Sequence, residues 1–121
     1  MLKDNDTVYA RYYDALANGN RCVIPLMVYY EVRRGLKANK ATTQMNAFED
    51  ICITLGVDNL TTADMDKAAD IYADRKQRGV PIDDADLLIA AQCIINGYTL
   101  VTHNIRHFEY IDGLLVEDWA V

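Results

Sequence analysis

The chain has 121 residues, 51% of them hydrophobic and 25% charged, which suits one soluble domain with a real core and argues against disorder. Its net charge of −6 argues against broad electrostatic binding of nucleic acid. Any such binding would need a local basic patch or a metal held among carboxylates.

From Asp6 to Ala17, Tyr9, Tyr12, Tyr13 and Leu16 recur at helical spacing. Asp4 or Asp6 is placed to cap this first helix, and Gly19 sits where a left-handed residue ends one. Cys22-Val23-Ile24 is a short apolar run that predicts a buried strand closed by Pro25. A second helix is expected from Leu26 to Gly35, a third from Thr42 to Ile53 with Met45, Phe48, Ile51 and Cys52 on one face, and a weak strand from Ile53 to Val57. The fourth helix, capped by Thr61 or Thr62, should bury Met65, Ala68, Ala69 and Tyr72, and carries Arg75, Lys76 and Arg78 in a last turn that suits cations. A fifth runs to Asn96-Gly97, followed by a strand at Tyr98–Thr102, a short turn or helix over His103–Phe108, and a last strand at Leu114–Val116. Helices alternating with short apolar strands predict an α/β fold with a parallel sheet covered on both faces.

No apolar run approaches the ~20 residues that span a bilayer, and the opening Met1-Leu2-Lys3-Asp4-Asn5-Asp6 has no signal-peptide core, so a cytoplasmic chain is expected. Cys22, Cys52 and Cys93 lie far apart among apolar neighbours and read as buried thiols. His103 and His107, four apart, share a helical face, yet without a third nearby ligand they are a weak zinc pair.

The densest chemistry is Pro81-Ile82-Asp83-Asp84-Ala85-Asp86 before Leu87-Leu88-Ile89-Ala90-Ala91. A bland reading makes Asp83 a side-chain cap and Asp86 the acid of the first turn. Asp84 then adds repulsion that capping does not require. Glu31 is the one acid in the apolar second helix; its bland reading is an ion pair with Arg34 or Lys37. In open parallel sheets functional groups collect beyond the carboxyl ends of the strands. Glu31, Asp84, Asp86 and Asn104 all fall where such a crevice would lie, and clustered carboxylates there suit Mg²⁺ or Mn²⁺ and phosphodiester hydrolysis.

Four segments resemble PIN-domain ribonucleases of the VapC toxin type: Ile24-Pro25-Leu26-Met27-Val28-Tyr29-Tyr30-Glu31-Val32-Arg33-Arg34-Gly35, Gly79 through Ala91, Leu100 through Phe108, and Gly113 through Trp119. The resemblance implies a PIN-like three-layer domain over residues 1–121 and a metal-dependent endoribonuclease toxin of a type II toxin–antitoxin pair. Its metal-binding acids would be Glu31, Asp84 and Asp86, with Asn104 as a polar group, Mg²⁺ or Mn²⁺ as cofactor, RNA as substrate, a cognate antitoxin and a homodimer. Two departures stand out. Members begin with a central strand ending in Leu-Asp-Thr-Asn, which predicts that this chain is N-terminally shortened and lacks the first acid. His107 stands where many have Asp or Glu before Phe. The alternatives are a non-catalytic PIN-like module that dimerises or binds an antitoxin, and an acidic capping stretch on an unrelated α/β protein.

Overall fold

Helix α1 spans Asp6–Ala17 in a computed structural model that describes residues 6–120. The cap expected from Asp4 or Asp6 and the side chain of Tyr9 lie outside the described part. The chain forms two compact units, Leu60–Trp119 and the residues before Leu60 with the C-terminal end.

In the first unit α1 ends at a turn with Gly19 at φ +81°, a left-handed backbone that favours glycine. Strand β1, Ile24–Pro25, is shorter than the apolar run that announces it. Pro25 still pairs in register with Asp58 and at once becomes the extended N-cap of α2, Leu26–Ala38. That helix does not stop at Gly35, as expected from sequence, but runs a further turn to Lys37 and Ala38. One glycine costs a helix only ~1 kcal/mol, too little to end it. Helix α3, Thr42–Leu55, leads to β2, Val57–Asp58, which joins β1 in parallel; the two helices form the crossover that a parallel pair requires. Phe48 of α3 is fully buried and stacks on Tyr29 of α2 with ring centroids 5.9 Å apart. Arg33 lies over the same Tyr29 ring and reaches Glu49 at 3.2 Å, so apolar and charged contacts hold α2 to α3 together.

In the second unit α4, Thr62–Gln77, packs against α5, Asp84–Asn96. Thr61 and Asp64 close a capping box: the Asp64 amide donates to Thr61 Oγ1 at 3.1 Å, and the Thr61 amide donates to Asp64 Oδ2 at 2.9 Å. Asn96 donates to the other carboxylate oxygen at 3.3 Å. With its oxygens engaged, Asp64 is buried at 0% exposure, and the inward stripe of α4 is Asp64, Ala68 and Ile71. The sequence stripe through Met65, Ala69 and Tyr72 is corrected by that one-position rotation: Met65 and Tyr72 are 48% and 49% exposed. Helix α5 buries Leu87, Ile89, Ala90, Ala91 and Cys93 before Gly97 ends it at φ +69°. Strand β3, Thr99–Val101, then pairs in parallel with β4, Leu115–Glu117, and a 3-10 turn at Ile105–Phe108 between them buries Phe108.

The α/β class stands, with parallel strands joined through helices. Among the described residues the strands pair as two two-stranded ladders, where the sequence predicts one sheet. Composition marks a segment as strand-like, but ladder hydrogen bonds set its length and neighbours.

Candidate active site

Helix α5 starts where the sequence concentrates its acids. The Gly79 and Val80 amides donate to the Lys76 and Arg75 carbonyls, closing α4, and Gly79 takes a left-handed φ of +72°. Pro81 disfavours helix at Val80, so the chain crosses to α5 extended. Asp83 is the N-cap by position, with φ −61° and ψ 143°, and its carbonyl accepts from the Leu87 amide at 2.9 Å. Its side chain makes no cap hydrogen bond, which corrects the expectation that it would.

Asp84 and Asp86 share the first turn of α5 but stand about 200° apart around its axis. Their surroundings differ accordingly. Asp84 is exposed, whereas the Asp86 side chain is 19% exposed and has a partner: His107 Nδ1 lies 3.2 Å from its Oδ2. The 3-10 turn brings that imidazole there. Thr102 Oγ1 accepts from the Asn104 amide at 3.0 Å, and the Asn104 carbonyl accepts from the His107 amide at 3.1 Å. Asn104 itself is exposed and makes no side-chain cap. The structure thus gathers Asp86, His107 and the Asn104 backbone, with Asp84 on the same helix turn.

Sequence reasoning missed the His107–Asp86 pairing, having weighed His107 only as a departure and as half of a zinc pair. The two imidazoles engage different carboxylates: His103 Nδ1 lies 3.1 Å from Asp118 Oδ2. The signal available was His107 itself, an aromatic base where the resemblance predicts an acid. Asp64 was missed as well, although Thr61-Thr62-Ala63-Asp64 carries the capping-box spacing.

Glu31 belongs to the other unit, where it lies half-buried on α2 with Oε2 3.8 Å from Arg34 Nη2, while Arg34 also covers the Tyr30 ring at 5.2 Å. The expected ion pair with Arg34 is therefore present, at a distance that implies weak attraction. Among the described residues no three His, Cys, Asp or Glu side chains gather to hold a metal. A hard cation takes six or more oxygens, several of them water. The fit is therefore partial: the two carboxylates of this helix turn stand on different sides of its axis, and that of Asp86 already faces an imidazole. Among the described residues no helix is long and apolar enough to cross a membrane.

The PIN domain family matches residues 2–114. "Ribonuclease VapC2" of Rickettsia felis is 31% identical over 98% of this chain and 96% of its own length. "Ribonuclease VapC1" of Methanocaldococcus jannaschii is 35% identical over 78% of this chain and 69% of its own. Among solved structures, VapBC2 from Rickettsia felis bound to a DNA fragment from its promoter superposes with a TM-score of 0.83 at 27% identity, covering 92% of this chain and 84% of that one.

Proposed function

This chain belongs to the PIN-domain family, in its VapC branch, and from that premise we propose that it is an endoribonuclease toxin, hydrolysing RNA phosphodiester bonds under the control of a cognate antitoxin. The observation that carries the reading is the near end-to-end match to Ribonuclease VapC2, which takes in the acidic start of α5 and the His107 turn. The antitoxin follows from the VapBC2 complex among the solved relatives.

At the head of α5 the proposed oxygen donors for Mg²⁺ or Mn²⁺ are Asp84 and Asp86, and Glu31 on α2 is a further proposed metal-binding acid. A divalent cation supplies such a centre with charge neutralisation and an activated water. What the described residues do by themselves is narrower. Asp86 is held by His107, Asp84 stays open to solvent, and Asn104 offers an exposed amide for water or phosphate.

The test is cleavage of RNA by the purified chain in Mg²⁺ or Mn²⁺ and in chelator, with Mn²⁺ binding followed by calorimetry. Asp86→Asn should abolish both. Unchanged cleavage in that variant would remove Asp86 from the site. The partial donor set favours one second reading, a module that binds antitoxin without turnover. Antitoxin binding with no RNA cleavage at any metal concentration would establish it.

A further inference from the structure

We propose that the groove between the end of α4 and the strand-like approach to α5 receives one nucleotide of a single-stranded RNA, its base on Tyr72 and its phosphate at Lys76 and Arg75. The groove encloses about 260 Å³ and is lined by Tyr72, Arg75, Lys76, Gly79, Pro81 and Ile82. That is below the ~300–1,000 Å³ of a drug-sized ligand site, so it suits a single flat ring rather than an extended molecule.

Three features select a nucleotide. Tyr72 is half-exposed on α4, a large aromatic ring left out of the core, with Lys76 Nζ 5.9 Å from its centroid. Lys76 lies over one face of that exposed ring, so a base would stack on the other face with the ammonium near its phosphate. Arg75 is held in place, its Nη1 donating to the Glu109 carbonyl at 2.9 Å, while its buried Nε has no hydrogen-bond partner. Nε is too buried to reach a phosphate, so what Arg75 brings to the groove wall is a guanidinium fixed in place, with its positive charge and its remaining N–H donors. Arg78 is neutralised by Asp74 at 3.1 Å, so the local positive charge rests on Arg75 and Lys76 against an acidic chain. Arg75 also borders a smaller cavity where Asp70, Asp74 and Asp112 outnumber Lys67, a setting less favourable to a phosphate than the Tyr72 side, whose lining has no acid.

Position links the groove to the acids. Pro81 and Ile82 form its wall and lead directly into Asp83, Asp84 and Asp86. A strand seated on Tyr72 therefore continues toward the start of α5. The proposal rests on the ribonuclease reading above for the identity of the polymer, and names how the chain would grip it.

The test is fluorescence anisotropy of an end-labelled single-stranded RNA of about ten nucleotides with the full chain, in chelator so that no turnover occurs. Tyr72→Ala should weaken binding about 5- to 100-fold, while Tyr72→Phe, which keeps the ring face, should bind as the parent does. Lys76→Ala, a change at an exposed side chain, should weaken binding and flatten the plot of log affinity against log salt by about 0.7. The proposal is overturned if the parent chain does not bind the oligonucleotide, if Tyr72→Ala and Lys76→Ala bind as the parent does, or if Tyr72→Ala loses affinity for an antitoxin and not for RNA. Parallel cleavage assays separate the two readings. Tyr72-dependent binding without cleavage would sustain the groove and defeat the nuclease, and cleavage with unchanged KM in both variants would do the reverse.

Discussion

The imidazole of His107 stands 3.2 Å from the Asp86 carboxylate, across 21 positions of sequence, and fixes one oxygen of the acid at the head of α5. Both groups are partly solvated, so the contact contributes little to folding, about 0.2–1 kcal/mol. Its effect is on aim. His107→Ala should leave the unfolding midpoint within ~5 °C of the parent and lower RNA cleavage about 3- to 30-fold, between the parent and Asp86→Asn. Thermal unfolding and initial rates measured side by side check this, and a large loss of stability would make His107 a structural residue instead.

Asp64 is the opposite case, a buried carboxylate whose partners are all structural. Asp64→Ala removes the acceptor of the Thr61 amide and one of the two acceptors of Asn96 Nδ2, which keeps the Gln92 carbonyl at 2.7 Å, and leaves a gap where a fully buried side chain stood. The expected cost is about 2–4 kcal/mol in urea unfolding. Thr61→Ala, which removes only the hydroxyl acceptor, should cost about 1 kcal/mol.

Gly35 lies within α2, and a Cβ built there meets nothing within 4 Å. Gly35→Ala should therefore stabilise the chain by about 0.5–1 kcal/mol, by narrowing the unfolded ensemble and favouring the helix. A loss of stability would show that something needs the bare backbone at that position.

Burial pushes the Cys93 thiol up to about 11, while Cys22 and Cys52 are raised by burial as well. A thiol whose folded pKa lies above its unfolded value contributes stability that is complete below the unfolded value and is lost as pH rises through the folded one. Stability should thus fall from about pH 9 toward pH 11, and Cys93→Ala should make that fall shallower. In native protein at neutral pH, Cys93 should be the slowest of the three to react with a thiol reagent, because it is buried and stays protonated.

Much of the helical framework is legible from local signals. Gly19 and Gly97 close α1 and α5 in left-handed turns where the sequence places them, and Asp83 does begin α5. Glu31 pairs with Arg34 as its spacing suggests. Strand ends are less legible: Tyr98–Thr102 reads as five residues and pairs over three. Turn residues act on their own neighbours, whereas a ladder depends on a partner segment such as Leu115–Glu117.

By itself the sequence determined the α/β order of elements, the family and the acids at the head of α5, because helix caps, apolar periodicity and motif spacing are written within a few consecutive residues. Only the tertiary structure decided which face of α4 turns inward, that α2 runs past Gly35, and that His107 meets Asp86. Each of those depends on a group far along the chain meeting a need left by local structure: Asn96 for the buried Asp64, and an imidazole for a half-buried carboxylate.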